Sequence, residues 1–327
     1  MIIGCAKEDV AGSEQNLPRT QRVEEYKPGV PKERIKTAQG LTLEKLDSVY
    51  ILEGDVILSY EQYADFNQPE SKGTYMTASK YHWPDGIVYF VFPNEHTSAT
   101  GDSYDQYTFT QHQILYDAMN YYHRTTGVEF RHVTWHNSGR RGGSWMIEQS
   151  DYIEVIDGDG CWSALGRQGG KQFLCLDPTW AKVGNAMHEL GHAIGLLHEQ
   201  CRKDRDQYVN IITSNIQPDK LHNFEKSNVY HEMTTDFDYN SIMMYGSASF
   251  PIDWTKPTIT KKDGSYIVEQ RSYLSASDLQ AIKAIYKNDP CNVVLAVESS
   301  GDTSYRRDGS GGSTDGGSTG SGGAYRR

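Results

Sequence analysis

No stretch of this 327-residue chain approaches the roughly 18–20 consecutive apolar residues that a membrane-spanning helix needs. A transmembrane segment is therefore excluded by sequence. Positive charge is in deficit as well. Against 43 Asp and Glu stand 32 Lys and Arg, a formal net charge of −11. That balance argues against nucleic acid or an anionic membrane as a partner, because both select basic surfaces. Internal repeats are absent, which removes solenoid and propeller architectures. Cysteine is sparse: Cys5, Cys161, Cys175, Cys201 and Cys291 are the only five. Four lie in the later part of the chain, an even count that suits two disulfides and an extracytoplasmic life. What the chain does have is length enough for a sizeable core and many tyrosines, 22 in all, a weak pointer toward extended polymeric ligands.

Along the chain, residues 1 to about 40 are polar and aperiodic and read as loosely ordered. Residues 41–63 carry Leu43, Leu46, Val49, Leu52, Val56 and Leu58 in a mixed pattern, compatible with a short helix or an extended segment. Ile87 to Phe92, closed by Pro93, reads as a buried strand, and Val128–Val133 and Tyr152–Ile156 as further strands. Thr110 to Arg124, Asn185 to Leu197 and Ser277 to Tyr286 have helical spacing. Residues 308–323 are almost wholly Gly, Ser, Thr and Asp, a tail with no capacity to form a core. The mix is α+β.

The segment that carries chemistry is His188-Glu189-Leu190-Gly191-His192-Ala193-Ile194-Gly195-Leu196-Leu197-His198. His188 and His192 are one helical turn apart on one face, a spacing that grips a single zinc ion. Gly195 ends the helix in a left-handed conformation and turns the chain back. His198 then completes a three-histidine set with a fourth position open for water, the mark of catalytic zinc. In such a site the metal acidifies its water, and Glu189 takes the proton as that water attacks a peptide carbonyl. The competing reading, a solvated helix face bearing His and Glu by chance, is disfavoured by the glycine and third histidine at fixed offsets. His222 and His231, isolated in sequence, read as ordinary surface or core residues.

The run HELGHAIGLLHEQCRKDRD, His188 to Asp206, is similar to the extended signature of the astacin family of zinc peptidases. Ser241-Ile242-Met243-Met244-Tyr245 resembles that family's Met-turn. Cys161-Trp162-Ser163, Gly166-Arg167, Gln270-Arg271 and Leu274-Ser275 match further, so the resemblance spans about Tyr81 to Cys291. It implies a two-lobed α+β zinc peptidase. A twisted mixed sheet and the active-site helix form the upper lobe, and an irregular lower lobe ends in a helix. It implies Met243 beneath the metal and Tyr245 as an additional zinc ligand that swings away to stabilise an oxyanion. Met244 and Leu196 depart from the family's usual His and Phe, neither at a primary ligand position. The family's cysteine near Gly127 is missing, and Cys201 is extra. The pairings expected are therefore Cys161–Cys175 and Cys201–Cys291, with free thiols as the alternative.

Leu52-Glu53-Gly54-Asp55-Val56 resembles the family's latency motif, with Leu52 in the place of an aromatic residue. The resemblance makes Asp55 the ligand that occupies the water position, and residues 1–73 an inhibitory pro-segment. Cys5 is a rival blocker, since thiolates bind zinc strongly. Met1 to Cys5 also resembles the end of a bacterial lipoprotein signal, without the regions that should precede it. Lipidation of Cys5 and a chance match both stay open. The domain reading is 1–73 pro-segment, 74–291 catalytic domain, and 292–327 tail. Lys72 before Gly73 or Thr74 suits a trypsin-like activating protease. The freed N-terminus would reach Glu199.

The function expected is endopeptidase action on proteins or peptides, with Arg271 a candidate for pairing an acidic side chain just after the cleaved bond. A structural ion pair is the even alternative for Arg271. The site of action expected is secreted or extracytoplasmic. The lack of appended cysteine-rich modules and the lipoprotein-like start point to a bacterium. Matrixin-like or adamalysin-like enzymes and a non-catalytic binding protein are the rivals. Glu199 and the Tyr245 position disfavour the first, and retention of Glu189 with all three histidines disfavours the second.

Overall fold

The computed structural model describes residues 23–38, 40–67, 79–93, 109–133, 136–137, 145–227 and 236–286. Four strands open it: β1 (Glu33–Lys36), β2 (Thr42–Leu46), β3 (Val49–Leu52) and β4 (Val56–Leu58). Helix α1 (Tyr60–Phe66) follows, with Ser59 and Gln62 forming a reciprocal capping box. Then come β5 (Ile87–Val91), α2 (Phe109–Thr126), β6 (Glu129–His132), and the two-residue pair β7 (His136–Asn137) and β8 (Trp145–Met146). β9 (Tyr152–Asp157), β10 (Trp162–Ala164) and β11 (Lys171–Leu176) lead into helix α3 (Val183–Ala193). Beyond α3 the chain is mostly short helical turns, with a ribbon of β12 (Val209–Ile211) and β13 (Ile259–Lys261) and a last helix α4 (Ala276–Tyr286).

Nine strands form one mixed sheet in the order β1-β2-β3-β4-β10-β11-β9-β5-β6. β5, β6, β9 and β11 run parallel, and β10 is antiparallel to β11. The N-terminal strands pair as successive antiparallel neighbours, joined to the rest by β4, which runs parallel to β10 with Val56 opposite Ser163. A two-residue loop, Asp47-Ser48, closes β2 on β3, with Asp47 at φ 54 as such tight hairpins require.

On one side of the sheet Val88, Phe90, Leu115, Met119, Leu190 and Ile282 share a core built from β5, α2, α3 and α4. Leu43, Leu52, Val56, Leu58 and Phe66 form a second core against Leu165 and Leu197. Residues 23–38 and 40–67 are thus packed against the rest of the chain, whereas the sequence reads residues 1 to about 40 as loosely ordered. β1 escaped notice because three of its four residues, Glu33, Arg34 and Lys36, are polar and exposed, and the strand is held by pairing with β2. Residues 1–22, 68–78 and 287–327, which include Cys5, the expected activation site at 72–74, Cys291 and the tail, lie outside the described residues. So does His231.

The expected Cys161–Cys175 disulfide is not formed. Both are buried free thiols, as is Cys201. Cys175 stands directly opposite Trp162, so Cys161, one residue earlier, belongs to the other face of the sheet. Accordingly Cys161 packs with Leu176 and Ala186, and Cys175 with Tyr26, Ile51 and Trp162. Cys201 donates its thiol hydrogen to the Asn223 carbonyl at 3.2 Å.

Candidate metal centre

Helix α3 is fixed at both ends before it presents any ligand. At its start the Asn185 side chain accepts from the Lys182 amide at 2.9 Å. At its end Gly195 adopts φ 109, and the Leu196 amide returns to the Gly191 carbonyl at 2.9 Å. Carbonyls near this end gain aromatic donors: Trp83 Nε1 to Ala193 at 2.8 Å and the Tyr286 hydroxyl to Ile194 at 3.0 Å. The reversal at Gly195 brings His198 back to the face that carries His188 and His192.

The three rings converge through Nε2. His188 Nε2 lies 3.1 Å from His192 Nε2 and 3.2 Å from His198 Nε2. Each Nδ1 faces an oxygen that can only accept: the Ile242 carbonyl at 2.9 Å, the Leu196 carbonyl at 2.8 Å and Glu53 Oε2 at 2.9 Å. The proton on each ring that makes this bond is therefore on Nδ1, which turns the Nε2 lone pairs toward a shared centre. Asp55 closes the set. Its Oδ2 is 3.5 Å from His188 Nε2 and 3.4 Å from His198 Nε2, and its Oδ1 is 3.7 Å from His192 Nε2. All four side chains are fully buried, and neither oxygen of Asp55 has a hydrogen-bond partner.

A buried carboxylate with no donor, facing three lone pairs, costs far too much unless a cation lies between them. For ligand bonds of about 2.0–2.1 Å in a tetrahedron, neighbouring ligand atoms lie about 3.3 Å apart, close to the spacings found here. The donor set, three imidazoles and one carboxylate, fits a single zinc ion.

Glu189 is fully buried and both its oxygens lack a partner. Burial, reinforced by the charges of Asp55 and Glu24, pushes its carboxyl well above the usual range. Met243 sits against the helix at Gly191, where an added Cβ would meet its sulfur at 2.9 Å. The turn that holds Met243 is anchored by Asp278, which accepts from Ser241 Oγ at 2.6 Å and the Ile242 amide at 3.0 Å. Ile242 in turn receives the Nδ1 proton of His188. Sequence reasoning missed Asp278, although Ser275-x-x-Asp278 is a capping signature, and Asp278 does bond Ser275 reciprocally.

Tyr245, expected among the ligands, donates its hydroxyl to the Glu53 carbonyl at 3.1 Å, with its ring 5.0 Å from that of His198. Glu199 accepts from Arg202 at 2.9 Å and from the Asp238 amide at 2.8 Å, and burial raises its carboxyl to about 7. Arg271 forms a bidentate pair with Glu24, Nε at 3.0 Å and Nη2 at 3.1 Å. His222 is buried beside Glu44, away from the ligand set. Glu53 stood inside the quoted motif without a role, and Glu24 had no sequence signal at all.

The N-terminal segment crosses this centre twice, tied by the Tyr26 amide donating to the Gly54 carbonyl at 2.7 Å. Gly54 has φ 101, and an added Cβ would come within 2.7 Å of Asn223 Nδ2. Asn223 is fully buried, and its carboxamide has no hydrogen-bond partner among the described residues.

The family model for Astacin, a peptidase family, matches residues 75–287. Zinc metalloproteinase nas-36 of Caenorhabditis elegans is 30% identical over 267 residues, 79% of this chain and 40% of its own length. Meprin A subunit beta of Homo sapiens is 30% identical over 240 residues, 68% of this chain and 30% of its own length. This chain thus spans less than half the length of these relatives. Among solved structures, high choriolytic enzyme 1, a hatching-enzyme zinc protease of the medaka Oryzias latipes, aligns with a TM-score of 0.54 at 30% identity. That alignment covers 64% of this chain and 96% of that one. The relatives named here are animal proteins.

Proposed function

We propose that this chain, which belongs to the astacin family of peptidases, is a zinc-dependent endopeptidase held latent by its own N-terminal segment. The observation that carries the latency is Asp55, a fully buried carboxylate without a hydrogen-bond donor, set against three converging imidazoles. Zinc bound there supplies Lewis acidity toward water and a peptide carbonyl. While Asp55 holds the fourth position, water has no place in it.

The remaining steps belong to the chain's own side chains. Glu189 follows His188 on α3 and serves as general base, taking a proton from the attacking water and passing it to the leaving amine. Tyr245, once the Glu53 carbonyl withdraws, turns its hydroxyl to the oxygen that gains negative charge. No residue becomes covalently attached to substrate. β10 and the residue after it donate main-chain bonds to the segment, Ser163 to the Asp55 carbonyl and Leu165 to the Ile57 carbonyl, each at 3.0 Å. With the segment gone β10 is a sheet edge, and the same amides receive an extended peptide. Arg271 pairs an acidic side chain just after the cleaved bond.

Cleavage by an activating protease near 72–74 starts activation, and the new N-terminus reaches Glu199, whose buried carboxyl would be neutralised by that ammonium. Action outside the cytoplasm follows the same reading, with Cys5 available for an anchor or as the rival blocker.

The test is hydrolysis of a quenched peptide library by the full chain before and after limited trypsin, with Glu189→Ala as control. A rise on clipping that the control lacks and a chelator abolishes supports the reading. Equal activity before clipping removes the latency, and no activity in a zinc-loaded clipped chain removes the enzyme.

A further inference from the structure

Glu24 is a charged residue with only 1% exposure, far from the metal ligands in sequence and outside every motif. Its Oε1 accepts from Arg271 Nε at 3.0 Å and from Asn185 Nδ2 at 2.9 Å, and its Oε2 accepts from Arg271 Nη2 at 3.1 Å. A planar guanidinium and a fixed amide thus form a three-donor seat for one carboxylate. The seat is built into the catalytic part of the chain. Asn185 Oδ1 is committed to the Lys182 amide, which obliges Nδ2 to point at the carboxylate. Arg271 is braced by Glu269 at 2.9 Å and by the carbonyls of Met244 and Gln270. Its backbone packs so tightly on the first turn of α3 that a Cβ at Gly184 would meet the Arg271 carbonyl at 1.8 Å.

Position along α3 gives the seat its meaning. Asn185 is three residues before His188, on the same helical face and about 4.5 Å nearer the helix start. A carboxylate held there lies about one turn from the metal ligands, the reach of a side chain adjacent to a bond cleaved at the metal. Residues 24–26 and 53–55 run side by side through the site, joined by Tyr26 and Gly54. Glu25 adds ion pairs to Lys32 at 3.2 Å and to Lys220.

We propose that Glu24 is an internal copy of the substrate's acidic side chain, occupying a specificity seat that Asn185 completes with Arg271. The inference rests on the endopeptidase reading above and adds two residues to it. Glu24 locks the segment independently of the metal, and Asn185 discriminates a carboxylate from a carboxamide after the cleaved bond. The three groups that touch Glu24 are all donors. A Gln side chain would bring its own NH2 against them, whereas a carboxylate accepts from all three.

Two measurements on the full-length protein test this. Hydrogen–deuterium exchange of the intact, uncut chain reads the lock without any need for activity. Glu24→Gln should speed exchange over residues 23–30 at least tenfold, and unchanged protection overturns the lock. After clipping, kcat/KM is measured on paired fluorogenic peptides with Glu or Gln just after the cleaved bond. Asn185→Asp keeps the acceptor for Lys182 but sets a second anion in the seat. It should lower the Glu-to-Gln ratio of kcat/KM at least tenfold. An unaltered Glu-to-Gln ratio overturns the seat. Failure of wild type to cut either peptide would count against the endopeptidase reading, while the exchange result still decides Glu24.

Discussion

On the latent-enzyme proposal, Gly54→Ala would separate the latency device from the catalytic machinery, because residue 54 would belong to the part of the chain that activation removes. Two costs add at this position. An alanine at φ 101 occupies a region that side chains rarely tolerate, at about 1–3 kcal/mol. Its Cβ would also lie 2.7 Å from Asn223 Nδ2, inside contact distance of a fully buried side chain. Overpacking of that kind costs about 1–3 kcal/mol more. Docking of the segment should weaken by about 2–6 kcal/mol. At roughly 1.4 kcal/mol per tenfold, the open form then rises at least about 30-fold. The assay is hydrolysis of a quenched peptide by the uncut chain, followed by the same assay after limited trypsin. Uncut Gly54→Ala should be at least about 30-fold more active than uncut wild type until the open form saturates. The two should match once clipped. An uncut rate equal to wild type refutes the reasoning, since the strain would then be absorbed without opening the site. A loss of activity in the clipped form refutes it too, because Gly54 would have served the catalytic domain itself.

Three further outcomes follow from the same geometry. Tyr245→Phe in the clipped enzyme should lower kcat by about 10²–10³-fold with little change in KM, as expected for a donor used only in the transition state; steady-state kinetics decides. Asp278→Asn leaves the charge-assisted anchor of Ser241 and Ile242 broken and His188 less well oriented, so zinc affinity should fall about 10–100-fold in competition with a chromogenic chelator. Acid should release the segment through Glu24. Burial alone would raise this carboxyl, but the Arg271 guanidinium more than offsets it and holds it at about 2, against an ordinary 4.5. A depressed folded value means that the ion pair supports docking fully above about pH 4.5 and ceases to as pH falls toward 2. Exchange over residues 23–30 should therefore rise across that window in wild type, and Glu24→Gln should show a smaller rise, having no such charge to lose.

The metal site was legible because its information is local. His188, Glu189, His192, Gly195 and His198 lie within eleven residues, and helical geometry with one glycine turn converts that spacing into convergence. The Met-turn and Asp55 were legible only through resemblance, since nothing in their own composition demands a metal. Glu24 and Asn185 were invisible for a physical reason. Each is an ordinary polar residue until a contact 161 positions apart in sequence buries both, and Arg271 must arrive from a third direction. The cysteine pairing failed differently. Counting cysteines cannot register which face of a strand each one occupies, and one residue of offset places Cys161 and Cys175 on opposite sides of the sheet.

Three separate attachments hold the segment, and they differ in what breaks them. Asp55 depends on the metal, Glu24 depends on charge, and β4 depends on main-chain bonds to β10 and on the core that Leu43, Leu52, Val56 and Leu58 share with Leu165 and Leu197. A cut near 72–74 touches none of them. It would remove only the covalent tether, leaving the segment's four strands, β1 to β4, in the nine-stranded sheet with its carboxylates in place. In the proposed latent state, cleavage therefore favours release by removing the tether, and activity follows once the segment leaves or is digested in turn. A chain that supplies both a ligand for the metal and an anion for Arg271 imitates two features of a bound substrate at once. Its own strand, running parallel to β10, then fills the edge that a substrate would use.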